Sequence, residues 1–177
     1  MASKQDNLEI KKRLMFSKDD DYYFITYNVL IFLNTIGCRR PTSKFTDYTK
    51  LVYITPFVSD ASLVRLLPES KKLDEAEIDV LQEHYLKSRI RITLFTSILI
   101  AMEHKGLVGL AKNKPRKSID VWINPDNIPR NFDENSAFRI EETNSRLLKQ
   151  YIPRITTVTP ATLLERLFSS KGVKVWG

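Results

Sequence analysis

An apolar helical segment that leads directly into a short hairpin is the feature of this sequence that most restricts its fold. Apolar residues recur at three- and four-residue steps from Ile92 to Met102, and Gly106 follows. This spacing predicts a helix that is apolar on most sides, lies near the centre of the fold and ends at the glycine. The segments 107–110 and 119–123 then read as two strands joined by the turn residues Asn113-Lys114-Pro115-Arg116. A helix followed by a hairpin is how a winged helix is built, so we expect a winged-helix-like unit at about residues 75–123.

The excess positive charge of the chain lies in the same stretch. Between His84 and Ser118, eight basic residues stand against one acid, Glu103, a surplus equal to the formal charge of the whole chain, +7. The remaining 20 basic and 20 acidic residues balance each other. Such an excess is compatible with a polyanionic partner, although it informs association rather than fold.

Length and composition favour one helical domain. With 177 residues, 42% of them hydrophobic, and only five glycines, the sequence predicts a mainly α fold with a small β-hairpin. We expect a single domain over 19–177, preceded by a mobile polar arm over 1–18. No apolar signal-peptide core follows the first residues, and the apolar run Tyr22 to Leu33 is too short to cross a bilayer. A soluble cytoplasmic protein without a membrane partner is therefore expected.

Capping signals predict where several helices begin. Asp19-Asp20-Asp21 can open a helix that runs to Gly37, and Asp74 with Glu77 has the spacing of a capping box. Ser88 is a candidate cap for the apolar helix that follows. Thr159-Pro160, a capping residue before a first-turn proline, predicts the start of the last helix.

No residue set in the sequence points to catalysis. Cys38 is the only cysteine, so a disulfide or a cysteine-based zinc site within the chain is excluded. The arginines next to Cys38 would lower the pKa of its thiol, but no histidine is near it in sequence. The only two histidines, His84 and His104, stand twenty positions apart on different predicted helices. We expect neither enzyme activity nor a cofactor or metal site.

The basic stretch is the one feature with a binding mechanism attached. Lysines and arginines at a hairpin tip can neutralise phosphates and release counterions, whereas the preceding helix offers only Thr93, Thr96 and Ser97 for base edges. Contact with double-stranded DNA would therefore be independent of sequence, and a solvated or protein-binding hairpin remains the alternative. The candidate nucleic-acid contacts are Arg89, Arg91, Lys112, Lys114, Arg116 and Lys117.

The order of segments resembles a family of bacterial defence proteins. The residues that carry the likeness are Leu51 to Phe57, Ser62 to Pro68, Phe95 to Val108, Thr159 to Leu164 and Lys171 to Lys174. In order and spacing they are similar to the small middle component of three-component systems built around an ABC-type, SMC-like ATPase, the group that includes the Lamassu anti-phage and anti-plasmid systems. The polar, tyrosine-rich start and the strongly basic hairpin depart from what we expect of every member.

This resemblance implies a non-catalytic accessory subunit. In that family the ATPase recognises foreign DNA, and the small subunit joins it to an effector that is often a nuclease. The expected partners are therefore an SMC-like ATPase subunit and an effector nuclease subunit. A free-standing winged-helix DNA-binding protein or regulator is the alternative.

Apolar residues near the end of the chain are the candidate contact with such partners. The last helix has an apolar stripe, and the tail from Val173 to Trp176 is predicted to form a short strand. The candidate protein interface is Leu163, Leu164, Leu167, Phe168 and Trp176.

Overall fold

The structure is a computed structural model that describes residues 22–130, 132 and 136–176. The described part is mainly helical with one two-stranded antiparallel hairpin, which confirms the predicted fold class. The predicted arm over 1–18 and the cap at Asp19 to Asp21 lie outside the described residues. The elements are α1 Tyr22–Ile36, α2 Lys50–Ser59, α3 Ala61–Val64, α4 Glu75–Ile90, α5 Ile92–His104, β1 Val108–Asn113, β2 Ser118–Ile123, α6 Arg139–Tyr151 and α7 Pro160–Leu167, with short 3-10 turns at Pro125–Asn127, Ser136–Phe138 and Ser169–Lys171.

Helix α1 forms the centre of the core. It packs against α2, α5 and α6, and it is buried on most of its circumference rather than along one face, since Leu30 and Ile31 are buried together with Val29 and Leu33. A helix that is apolar all round belongs in the interior. Gly37 ends it, as predicted, in the left-handed conformation at a φ of 89°.

Helices α4 and α5 follow each other in the chain with one residue between them. The capping box of α4 is present as predicted, with the Glu77 N–H donating to Asp74 Oδ1 at 2.8 Å. The prediction that Ser88 caps the next helix is wrong, because Ser88 is buried inside α4. The break comes at Arg91, where φ is −95° and ψ is 0°. Ser88 lies on the buried side of α4 together with Leu81 and Tyr85, and this packing outweighs its capping tendency.

The hairpin follows α5 and packs against it, as the helix–hairpin pattern predicts. Val108 pairs with Ile123 and Asn113 with Ser118 across the two strands. Gly109 is required in β1, because a Cβ there would collide with the Trp122 ring. A third segment, which the sequence did not reveal, joins the far edge of β2: the Phe45 N–H donates to the Val121 carbonyl at 2.8 Å, and the Val121 N–H donates back to Phe45 at 2.9 Å.

The C-terminal tail lies along α4, but it is not the short strand predicted. Its polar main-chain groups are bound by side chains of one face of α4. The Lys174 N–H donates to Gln82 Oε1 at 3.0 Å, and the Tyr85 hydroxyl donates to the Trp176 carbonyl at 2.8 Å. Side-chain groups thus replace the partner strand that a β-ladder would need.

Candidate nucleic-acid and protein interfaces

Three lysines stand free at the tip of the hairpin. Lys112 lies near the end of β1, and Lys114 and Lys117 belong to the turn that joins it to β2. All three are exposed, and none of them forms an ion pair with another described residue. Such cations are available to phosphate groups.

The fourth basic residue of the hairpin, Arg116, is held by the protein itself. Its guanidinium donates to the Thr157 carbonyl at 2.8 Å and to Thr46 Oγ1 at 3.3 Å. The same side chain therefore ties the turn to two other segments of the fold. Arg116 is exposed. Unlike the three lysines of the hairpin, however, it stabilises the fold through these hydrogen bonds.

A buried carboxylate fixes the position of the hairpin. Asp120 in β2 accepts from Asn113 Nδ2 at 3.0 Å, and its Oδ2 lies 2.9 Å from Lys44 Nζ. Burial alone would raise the pKa of this carboxyl, but the hydrogen bonds from Lys44, the Asp47 backbone and Asn113 outweigh it, and the pKa lies below its ordinary value. Sequence reasoning missed Asp120, because its partners Lys44 and Asp47 come from a distant segment.

The predicted arginines lie in the last turn of α4 and at the break between α4 and α5. Arg89 donates to the Trp176 carbonyl at 3.4 Å, and its guanidinium lies 5.9 Å from the centre of the Tyr85 ring. Arg91 is the residue at the break itself. Arg89 is thus bound to the tail, in a different setting from the free lysines of the hairpin.

Most of the predicted protein interface proves to be core. Leu163, Leu167 and Phe168 are fully buried. The Phe168 ring packs against Tyr85 and Phe57, with ring centres 5.3 and 5.9 Å apart. The prediction that these three residues contact a partner is therefore wrong: the last helix turns its apolar stripe inward, where it fills the space between α2 and α4.

The two remaining residues of that prediction are accessible to different degrees. Leu164 is half-buried, and Trp176 has 52% of its surface exposed. The Trp176 ring lies 6.2 Å from Tyr85, at the end of α4. Of the five residues predicted as a protein interface, Trp176 is therefore the one that offers a partner a large apolar surface.

A larger apolar surface lies on the outer side of α4 and α5. Leu86, Ile90 and Leu94 follow at four-residue steps across the break, and Ser97 and Ile100 continue the row at three-residue steps. All five are exposed, and Ile90 is the most exposed of the large apolar side chains described, at 81%. We call this row the α4–α5 face. The opposite side of α5, with Phe95, Leu99 and Met102, is buried. The helix was predicted to be buried on most sides, but only one side of it packs in the core.

Among the described residues, neither the buried thiol nor the acidic and histidine side chains form a recognisable reactive or metal-binding group. Burial raises the pKa of the Cys38 thiol to about 12, despite the opposing charges of Lys50 and Lys149, so the expected lowering by the adjacent arginines is wrong. Across residues 22–130, 132 and 136–176, no three His, Cys, Asp or Glu side chains are grouped so that they could hold a metal ion. None of the helices described there has both the length and the apolar character that a bilayer crossing requires.

Comparison of the chain with protein-family models, with curated proteins and with solved structures finds no match.

Proposed function

We propose that this protein is a non-catalytic adaptor subunit of a cytoplasmic anti-phage or anti-plasmid complex. In this proposal it links an SMC-like ATPase that senses foreign DNA to an effector nuclease. The order of segments in the sequence suggests the partners. The single observation that supports an adaptor role is the α4–α5 face, since monomeric proteins rarely leave a contiguous row of large apolar side chains exposed to water.

The hairpin gives this adaptor a second surface. Lys112, Lys114 and Lys117 can contact DNA phosphates without reading bases. The polar side chains of α5 are poor candidates for base contacts: Thr96 Oγ1 donates to the Ile92 carbonyl at 2.8 Å, and Ser97 Oγ donates to the Thr93 carbonyl at 3.1 Å. DNA would therefore pass along a basic edge instead of being recognised by sequence.

Co-expression tests the proposal. The protein, carrying an affinity tag, is produced together with the products of the genes that flank its own and is purified at physiological salt. We expect an SMC-like ATPase to be retained through size-exclusion chromatography at a fixed ratio. A monomer that leaves the ATPase behind would contradict the proposal.

The alternative is a free-standing winged-helix DNA-binding protein or regulator, and the free lysines of the hairpin favour it. It requires that the isolated protein bind duplex DNA on its own, with an affinity that falls steeply with salt. Failure of the isolated wild-type protein to bind duplex DNA near physiological salt would exclude it.

A further inference from the structure

A second basic turn lies beside the turn of the hairpin. The hairpin turn is closed by the Lys117 N–H, which donates to the Lys114 carbonyl at 3.2 Å. The neighbouring turn follows α6, and it is closed by the Thr157 N–H, which donates to the Arg154 carbonyl at 2.8 Å. Arg116 joins the two turns, because its guanidinium donates to the Thr157 carbonyl. Arg154 therefore belongs to the turn that contacts the hairpin, although the two are distant in sequence.

Thr46 contacts both turns as well. Its hydroxyl oxygen accepts from the Arg116 guanidinium at 3.3 Å and donates to the Thr156 carbonyl at 2.9 Å. The Thr46 N–H donates to the same carbonyl at 2.9 Å. Because Thr46 is buried, these bonds fix the position of the two turns relative to each other.

Three cations of these turns are not neutralised. Lys114, Lys117 and Arg154 are exposed, and their side chains form no ion pair or hydrogen bond with another described residue. The chain also contains no Asp or Glu at positions 104–119 or 143–164. The sequence around both turns therefore supplies no acid that could pair with these cations.

Two carboxylates from other positions lie close to the hairpin, and both have partners. Asp120 is buried, and its Oδ2 lies 2.9 Å from Lys44 Nζ. Asp47 Oδ1 accepts from the Thr49 N–H at 3.1 Å. Neither forms an ion pair with the three free cations, so the surface around the two turns keeps its positive charge.

Two of the free cations occupy a backbone conformation that glycine adopts at a lower cost. φ is 51° at Lys117 and 59° at Arg154, in the left-handed region that is unfavourable for residues with a Cβ. Of the described residues, Asp47 is the third non-glycine residue with a positive φ, but its carboxylate binds Thr49. Lys117 and Arg154 make no such bond. A long cation kept where glycine fits better indicates that its side chain serves a function other than folding.

No exposed apolar side chain accompanies these cations. None of the large, exposed apolar residues in the described part of the chain lies at positions 111–118 or 153–158. A protein partner or a membrane surface is held partly by apolar contacts. The phosphates of a nucleic acid, in contrast, are bound through charge and hydrogen bonds. The surface therefore fits a nucleic-acid backbone better than a protein or a membrane.

We propose that the two turns form one binding surface for the phosphate backbone of duplex DNA. In this surface Arg154 contacts a phosphate beside those that Lys114 and Lys117 contact. The inference rests on the DNA contact proposed for the hairpin and adds a residue that the sequence did not single out. Duplex DNA carries one negative charge per about 1.7 Å of its axis, so adjacent cations of both turns can each meet a phosphate.

Glycine at the two left-handed positions tests this proposal without weakening the fold. Arg154→Gly and Lys117→Gly each remove one cation and relieve an unfavourable φ. Urea unfolding should therefore show both variants to be at least as stable as the wild type.

Fluorescence anisotropy with a labelled duplex, at 50 to 200 mM salt, then measures DNA binding by the full-length protein. One phosphate contact changes log affinity by about 0.9 for each tenfold change in salt concentration. Its loss should therefore weaken binding about eightfold at 0.1 M salt relative to 1 M salt. We expect this loss for Arg154→Gly and for Lys117→Gly.

The matched control is Arg130→Gly, which removes the same charge. Arg130 is exposed and lines a small cavity with Ile123, at the opposite end of β2 from the hairpin turn. This variant should bind duplex DNA as tightly as the wild type. Equal affinities of Arg154→Gly and Arg130→Gly would overturn the proposal. Failure of the wild type to bind duplex DNA at 50 mM salt would overturn it as well.

Other partners of this surface give different results. A poly-glutamate peptide that binds as tightly as a duplex of the same total charge would assign the surface to an acidic protein. Tighter binding to vesicles that contain phosphatidylserine than to DNA would assign it to a membrane surface. Either result overturns the proposal.

The co-expression experiment separates this inference from the proposed function. If Arg154→Gly loses DNA affinity as expected and the wild type retains no ATPase, the DNA-binding surface stands and the adaptor function fails. If the wild type retains the ATPase and Arg154→Gly binds DNA as tightly as the wild type, the adaptor function stands and the surface formed by the two turns fails.

Discussion

The Lys50 ammonium lies 2.9 Å from the carbonyl oxygen of Val158, inside the protein and out of contact with solvent. It also donates to the Ile155 and Thr156 carbonyls at 3.2 and 3.3 Å, and it lies 4.2 Å from the centre of the Phe45 ring. One side chain therefore joins the start of α2 to the turn that follows α6. Burial lowers the pKa of Lys50 from 10.5 to about 8, although the nearby Asp47 opposes the shift.

This pKa predicts that stability rises at alkaline pH. Below pH 8 both the folded and the unfolded protein hold the proton, and the cost of the buried charge is constant. Between about pH 8 and 10.5 the folded protein loses the proton first, so the unfolded state binds more protons and the free energy of unfolding increases with pH.

The variant Lys50→Met should lack this gain. Urea unfolding at pH 7.5 and pH 10 should show the wild type gaining about 2 kcal/mol relative to Lys50→Met. Each protein is compared with itself at the two pH values, which cancels the loss of the Lys50 hydrogen bonds in the variant. An equal change with pH in both proteins would contradict the assignment of a buried charged amine.

The ion pair of Asp120 with Lys44 should stabilise the folded protein at neutral pH and lose this effect in acid. The folded pKa of Asp120 is lowered from 3.8, so its contribution is present above that value and is lost as the pH falls through the folded pKa. Asp120→Asn should cost about 2 kcal/mol at pH 7, because Lys44 keeps its charge without its partner. The exposed Asp126→Asn is the matched control and should cost little. A difference between wild type and Asp120→Asn that stays constant down to pH 3 would contradict this account.

Phe168 and Trp176 should respond differently to truncation, although the sequence grouped them in one interface. Phe168→Ala removes a buried ring and should cost about 3 to 5 kcal/mol in the free energy of unfolding. Trp176→Ala should cost less than about 1 kcal/mol, because its hydrogen bonds to Tyr85 come from the main chain and its ring is half exposed. Chemical denaturation of both variants measures the difference. Equal costs would mean that the last helix is not part of the core.

Charge reversal at the hairpin tests DNA contact. Replacing Lys112, Lys114 and Lys117 by glutamate removes three phosphate contacts. For duplex DNA of any sequence, a plot of log affinity against log salt concentration should therefore become less steep by about 3. The control carries glutamate at Lys72, Lys149 and Lys174, which are also exposed and change the net charge by the same amount. If the two triple variants lose affinity equally, the hairpin has no special role and only net charge matters.

Local signals predicted the helical elements well. The Asp74–Glu77 capping box, the helix stop at Gly37 and the Thr159-Pro160 start all depend on neighbours within one turn, and the structure contains each of them. The hairpin after α5 was predicted for the same reason, since alternation and turn residues are read over a few positions.

Relationships between distant segments were not predictable from one sequence. Three relationships join residues from 73 to 108 positions apart: the pairing of Phe45 with Val121, the contacts of Asp120 with Lys44 and Asp47, and the bonds of Lys50 to the carbonyls of the 155–158 turn. The sequence also contained two apolar stripes, one across α4 and α5 and one on α7, and the stripe on α7 that was predicted to be an interface lies in the core. Composition does not distinguish them: Leu163 faces the aromatic core and Ile90 faces water, a difference that only packing decides.

The most direct test of the adaptor account is the amount of ATPase that co-purifies with the Ile90→Glu variant. Wild type, Ile90→Glu and Val80→Glu are co-expressed with the products of the flanking genes, and the ratio of SMC-like ATPase to tagged protein is measured after size exclusion. Val80 is an exposed apolar residue of α4 that lies off the α4–α5 face, so Val80→Glu is the control. Urea unfolding first establishes that the two variants are as stable as wild type. The account predicts a fixed ratio for wild type and Val80→Glu and at least a tenfold loss for Ile90→Glu. A wild-type protein that retains no ATPase, or an Ile90→Glu variant that retains as much as wild type, would contradict it.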